Sequence, residues 1–126
     1  MLNPKNDVFL RKHDYPKIAE ELEKIFKDAT TLTIGETFYN VMFFLVEKKL
    51  KKPPFKVLIE NSACFYKALK GLLGERGLKV YMSIIADYLS SRYGLNLKAE
   101  NLIHMFKQNE GIKIFLNILM CSDLNL

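Results

Sequence analysis

The chain has 126 residues, of which 49% are hydrophobic and 12% aromatic, and its formal net charge is +5. This length and apolar content are typical of one folded domain and exclude an intrinsically disordered chain. No run of about eighteen apolar residues occurs, and the start of the chain lacks the apolar stretch of a signal peptide. We therefore expect a cytoplasmic protein that has no membrane segment.

The first predicted helix follows a short N-terminal arm. Residues 1–13 show no helical period, so we expect a flexible arm there and a single helical domain at residues 14–126. Asp14 suits the N-cap of a helix and Pro16 suits its first turn. The amphipathic pattern that begins there predicts a helix that ends near residues 28–31.

The second predicted helix is unusually apolar. Thr33 and Glu36 have the spacing of a capping box at its start. Residues 39–46 are apolar nearly all round, which favours a central position or contact with another chain. Pro53 and Pro54 end the helix and predict an extended connection.

Four more helices are indicated by caps and apolar spacing. They are predicted at residues 61–74, 75–94, 98–107 and 112–119. Strand-like alternation occurs only in brief stretches such as Phe55, Val57 and Ile59. The predicted fold class is all-α, a compact bundle of five or six helices. The predicted core consists of Phe38, Met42, Leu45, Phe65, Leu69, Leu72, Tyr81, Ile85, Leu89, Phe106, Phe115 and Ile118.

Two of these helices are similar in sequence. Residues 77–85 (GLKVYMSII) and 111–119 (GIKIFLNIL) match in residue type at every position, at an offset of 34. The offset is typical of stacked helical hairpins. The alternative is that any two amphipathic helices that begin at glycine look alike.

The positive charge is concentrated in residues 48–56 (KKLKKPPFK), which contain five lysines and no acid; the remaining chain has 14 basic and 14 acidic side chains. Two interpretations stay open. The lysines are solvated charges at the negative end of a helix dipole, or they contact nucleic-acid phosphates while an aromatic ring stacks on an unpaired base. The candidate nucleic-acid-binding residues are Lys48, Lys49, Lys51, Lys52, Phe55 and Lys56.

The chain has more apolar residues than one small core can bury, and this predicts a protein partner or a second copy of the chain. Residues 39–46 and 112–120 are apolar on more sides than a small bundle can cover, so we expect a protein partner or a homodimer. The candidate residues for self-association are Tyr39, Phe43, Phe44, Ile114 and Leu116.

No group of residues has the spacing of a catalytic or metal site. His13 and His104 have no partner at ligand spacing, and we expect them at the surface or in structural positions. Cys64 and Cys121 each lie in an apolar segment and are predicted to be buried free thiols. Asp87 is expected at an exposed edge. We therefore predict no catalytic residue, no metal and no cofactor.

A family resemblance covers about half of the chain. The stretch from Gly35 to Leu95 combines an apolar helix that begins at glycine (GETFYNVMFFLVEKKL), a Phe-x3-Leu-x3-Leu-Gly helix (FYKALKGLLG) and a helix that ends in Tyr-Gly (GLKVYMSIIADYLSSRYGL). This pattern resembles the small archaeal module known as the Nitrosopumilus output domain. Glu75 and Arg76 depart from it, because smaller residues are expected after the glycine. The resemblance implies a helical fold, a regulatory or signalling role and an archaeal source.

Three function hypotheses follow. We expect a non-catalytic helical module that acts in regulation or by binding another protein. The alternative is a nucleic-acid-binding protein that uses residues 48–56, and the third hypothesis is an enzyme whose site assembles only in the fold.

Overall fold

A computed structural model describes residues 14–109 and 111–120 and shows an all-α bundle, which confirms the predicted fold class. The predicted arm at residues 1–13 lies outside these residues. Within the described ranges the chain forms helices and no strand. The helices are α1 (Tyr15–Thr33), α2 (Glu36–Leu50), α3 (Pro54–Glu60), α4 (Ser62–Tyr93), α5 (Ala99–Lys107) and α6 (Gly111–Met120).

Several helix ends are where the sequence predicts them. Asn61 is the N-cap of α4, and its side-chain oxygen accepts a hydrogen bond from the backbone N–H of Cys64 at 3.3 Å. Gly94 ends the same helix in the left-handed conformation, with φ at 68°. Asn101 fixes the start of α5, because its Oδ1 accepts a hydrogen bond from the backbone N–H of Lys98 at 2.8 Å.

The connections before and after α2 differ from the prediction. Thr33 is the last residue of α1 instead of a cap, and Gly35 precedes α2 with φ at 130°. Pro53 is extended as expected, but Pro54 begins α3 directly, because proline is well suited to the first turn of a helix. The alternating apolar residues that follow are therefore buried in a short helix and do not form a strand.

Helix α4 is kinked at Gly74, whose φ and ψ are 77° and 171°. The apolar residues before Gly74 and those after it would lie on different sides of a straight helix. Leu69 and Leu78 are both buried and lie nine residues apart, which is about two and a half helical turns. In a straight helix they would face opposite directions, so the kink allows both halves of α4 to pack into the core.

An aromatic cluster joins the helices. The ring of Phe26 on α1 is fully buried and lies 5.2 Å from Phe55 of α3, 5.9 Å from Phe65 of α4 and 6.3 Å from Phe43 of α2, between ring centroids. Phe65 in turn contacts Phe106 of α5 edge-on at 6.4 Å. Phe106 contacts Phe115 of α6 at 5.2 Å, so one continuous core includes residues from all six helices. Aromatic pairs at these distances add to the free energy of burial.

Four residues of the predicted core are not fully buried. Phe38 is 37% exposed, Leu45 41% and Leu72 38%, and Ile118 is half-buried. The prediction is wrong for Phe38 and Leu45 because α2 carries apolar residues on every side, so its sequence does not indicate which side faces the core. It is also wrong for Leu72 of α4, whereas Ile118 of α6 packs against the edge of the core.

The two segments that are similar in sequence, residues 77–85 and 111–119, are also similar in burial. Every position from Leu78 to Ile85 has the same degree of burial as its counterpart from Ile112 to Leu119. Val80 and Ile114, for example, are both exposed, whereas Tyr81 and Phe115 are both buried. The second half of α4 and helix α6 therefore present equivalent faces to the core.

Candidate functional site

A groove of about 720 Å3 lies between α1, α2 and α3. Each helix contributes side chains at intervals of four residues, the spacing that places them on one helix face. These rows are Tyr15, Ala19 and Glu23 on α1, Tyr39, Phe43 and Glu47 on α2, and Lys56 and Glu60 on α3. Pro53 and Pro54, at the start of α3, also line the groove.

The floor of the groove is aromatic. The ring centroid of Phe43 lies 4.8 Å from that of Tyr39 and 5.0 Å from that of Phe55. All three rings are largely buried by the core below them, so the floor is fixed by packing. Phe44 stands beside the floor and is 61% exposed. The groove therefore has a packed aromatic base, and Phe44 supplies an exposed ring beside it.

The rim of the groove is mainly acidic. Glu23, Glu47 and Glu60 are exposed and come from three different helices, and Lys56 is the basic residue among the described lining residues. Burial, and to a lesser degree the negative charge of Glu23, raise the pKa of Tyr39 above its usual range. The hydroxyl of Tyr39 is thus neutral at physiological pH, and the charge of the rim comes from its carboxylates.

An exposed apolar face runs along α2 beside the groove. Phe38, Val41, Phe44 and Leu45 are all exposed, and their spacing places them on one side of the helix. The face ends at Lys48, whose ammonium lies 5.4 Å from the ring centroid of Phe44. This unpartnered surface is continuous with the groove through Phe44.

The five lysines of residues 48–56 are exposed but divided among three places. Lys48, Lys51 and Lys52 line a smaller depression of about 410 Å3, together with Glu47. The Lys49 ammonium lies against Gly71 of α4, and Lys56 belongs to the groove. Glu47 therefore brings a negative charge into a patch that the sequence predicts to contain lysines alone.

Several predicted site residues are buried. Phe55 is in the core, so the prediction that it stacks on a base is wrong. Tyr39, Phe43 and Leu116 are also buried, and the prediction that they form a self-association surface is wrong for these three. Phe44 and Ile114 are exposed. Phe38 and Leu45 of α2, which the sequence predicts in the core, belong instead to the exposed side of this helix.

A second cleft, of about 960 Å3, lies between the end of α1 and the end of α4. It has a polar lining that includes Asp87, Tyr88 and Arg92, and Asp87 is exposed as predicted. Burial, followed by the charge of Asp28, raises the pKa of Tyr88, while Arg92 opposes the shift. The cleft is a mixed polar surface without the aromatic floor of the groove.

The remaining candidate residues are at the surface or outside the described ranges. His104 is exposed, and Cys64 is an exposed free thiol, so the prediction that Cys64 is buried is wrong. His13 and Cys121 lie outside the described residues. Among the residues that the structure describes, no three histidine, cysteine or acidic side chains are close enough to hold a metal ion.

No family model, curated protein or solved structure matches this chain. The resemblance to the Nitrosopumilus output domain therefore stays a prediction. Across residues 14–109 and 111–120, none of the helices combines the length and apolar character needed to cross a bilayer.

Proposed function

We propose that this chain is a non-catalytic protein-interaction module with a regulatory role, and that it binds a segment of another protein in the groove between α1, α2 and α3. The apolar groove with the exposed ring of Phe44 in its lining carries the proposal. Aromatic side chains that line a fixed concave surface supply most of the binding free energy in protein interfaces. A cytoplasmic location and the archaeal source implied by the family resemblance belong to the same proposal.

The position of the polar groups supports binding over catalysis. The carboxylates lie exposed on the rim, and the buried floor consists of apolar and aromatic rings. A catalytic pocket instead places a few polar groups around the reacting atoms. The exposed apolar face of α2 extends the surface on which a partner can dock. The exposed thiol of Cys64 is consistent with a reducing compartment.

The proposal is tested by selecting peptides from a displayed random library against the full chain. Each selected peptide is then measured by fluorescence anisotropy against Phe44→Ser and Val80→Ser. Both residues are 61% exposed, but only Phe44 lines the groove, so the pair is matched in exposure and differs in position. We expect Phe44→Ser to weaken binding about tenfold or more and Val80→Ser to change it less than about twofold. Selected peptides that bind both variants equally would place the interaction elsewhere.

Nucleic-acid binding is the second candidate function, and it is favoured by the exposure of all five lysines between residues 48 and 56. Three of them share one depression, which could hold a phosphate group. Phe55 is buried and cannot stack on a base, but the exposed ring of Phe44 lines the same depression as these lysines.

Changing Lys48, Lys49, Lys51 and Lys52 to glutamine should abolish nucleic-acid binding if this second function is correct. The measurement is anisotropy of a labelled DNA duplex and a labelled single strand at low and moderate salt. A control chain carries glutamine at four exposed lysines outside this patch, namely Lys24, Lys79, Lys98 and Lys113. The dependence of DNA affinity on salt concentration should decrease in the first variant and persist in the control. Equal losses in both would indicate a general charge effect, and no binding at low salt would exclude this function.

A further inference from the structure

We infer that the segment bound by the groove is cationic, with an aliphatic or aromatic anchor flanked by lysine or arginine. The inference rests on the proposed function and adds the chemistry of the partner. Two features of the groove carry it, namely the charge of the rim and the exposed ring of Phe44 in its lining.

The rim favours a positive ligand on three sides. Glu23, Glu47 and Glu60 are located on α1, α2 and α3, so a segment that lies in the groove passes a carboxylate whichever helix it follows. Opposite charges that face each other across an interface increase the rate of association and exclude partners of the wrong sign. Lys56 leaves the described lining with an excess of negative charge.

An exposed aromatic ring can contact both the apolar anchor and the flanking cations of such a segment. Apolar anchors can pack against the exposed ring of Phe44, and flanking cations can lie over the face of the same kind of ring. The structure contains this second contact within the chain itself, where the Lys48 ammonium lies 5.4 Å from the centroid of the Phe44 ring. A lysine or arginine from a partner can make the same contact from the groove side.

The same rim excludes polyanions from the groove. Phosphate groups would meet three carboxylates there, whereas the lysines at residues 48, 51 and 52 line the neighbouring depression. Glu47, Phe44 and Pro53 border both surfaces. A nucleic acid would therefore bind beside the groove, and the two activities can be separated by substitution.

The test uses three labelled synthetic peptides and the full chain. The first peptide is amphipathic, with leucine and phenylalanine anchors and flanking lysines. The second has glutamates in place of the lysines, and the third keeps the lysines but has serine in place of the anchors. Binding is measured by fluorescence anisotropy at low salt.

Two triple variants locate the charge effect. The groove variant is Glu23→Gln with Glu47→Gln and Glu60→Gln. The control is Glu20→Gln with Glu75→Gln and Glu100→Gln, which removes three exposed carboxylates outside the groove and changes the net charge equally. We expect the lysine peptide to bind about tenfold more tightly than the glutamate peptide, and the groove variant to lose about tenfold while the control stays within about twofold.

The outcomes separate this inference from the proposed function. A glutamate peptide that binds as tightly as the lysine peptide and loses affinity in Phe44→Ser would overturn the cationic ligand and leave the groove as a docking site. Equal losses of affinity for the lysine peptide in the two triple variants would also overturn the inference of a cationic ligand. If none of the anchored peptides binds and no library peptide depends on Phe44, the proposed function itself fails.

The chain carries a similar sequence of its own. Residues 8–12 read VFLRK, with apolar residues followed by two cations, and they precede Tyr15, which lines the groove. The full chain with Phe9→Ser and Leu10→Ser tests whether this segment is the ligand. Unchanged affinity for the lysine peptide supports a separate partner, whereas a gain of about tenfold would show that the segment competes for the groove and would overturn the assignment to another protein.

Discussion

Replacing Gly74 by alanine should lower the free energy of unfolding by about 2–3 kcal/mol, measured by urea denaturation. Gly74 has φ at 77° and ψ at 171°, a region of backbone conformation that is occupied almost exclusively by glycine. A Cβ at this position would meet no atom within 4 Å, so the expected loss comes from backbone strain and not from a collision.

The strain cannot be relieved by straightening α4. Leu69 and Leu78 would then face opposite directions, and one half of the helix would lose its contacts with the core. Alanine favours the straight helix, so local preference and tertiary packing oppose each other at this position.

Gly71→Ala is the matched control on the same helix. Gly71 has ordinary helical geometry, and its new Cβ would meet only the flexible end of the Lys49 side chain. Alanine should therefore stabilise the chain by about 0.5–1 kcal/mol. A Gly74→Ala variant that is as stable as the unaltered chain, or that shifts in the same direction as Gly71→Ala, would contradict the assignment of the kink to Gly74.

Thr30→Val should lower the free energy of unfolding by about 1–3 kcal/mol, although threonine and valine have nearly the same shape. Thr30 is fully buried on α1, and its hydroxyl donates to the carbonyl oxygen of Phe26 at 2.6 Å. Its Oγ1 also lies 2.7 Å from the hydroxyl of Tyr81 on α4. Because the threonine proton is used by Phe26, the Tyr81 hydroxyl donates to Thr30.

The variant leaves the Tyr81 hydroxyl without this acceptor in the core. Burial raises the pKa of Tyr81, so the group stays protonated and needs a partner. Tyr81→Phe should have a smaller effect, about 1 kcal/mol, because Thr30 keeps its bond to Phe26.

Combining the two substitutions tests the pair directly. The double variant should be less destabilised than the sum of the single variants, by about 1 kcal/mol in urea denaturation. Strictly additive effects would show that the two hydroxyls do not interact.

The sequence determined the elements of this fold where the signals are local. Asn61 and Gly94 mark helix ends because capping depends on one side chain or one backbone conformation. The amphipathic face of α1 could be predicted because its apolar residues occupy one stripe and charged residues the others. The exposure of the lysines of residues 48–56 can likewise be predicted, since long charged side chains are rarely buried.

The tertiary structure decided which apolar residues are buried where more than one face is apolar. Helix α2 could turn Phe38 or Phe43 toward the core, and packing against Phe26 and Phe55 selects Phe43. Thr30 gave no signal in the sequence, because its role depends on a tyrosine 51 residues away.

The groove, too, exists only in the fold. Each of its three rows is an ordinary pattern on its own helix, and the carboxylates Glu23, Glu47 and Glu60 are well separated along the chain. Periodicity describes one helix at a time, so it predicts the faces that helices present but not which faces meet. Which segments form helices is thus determined locally by this sequence, whereas the proposed binding surface results from how α1, α2 and α3 pack together.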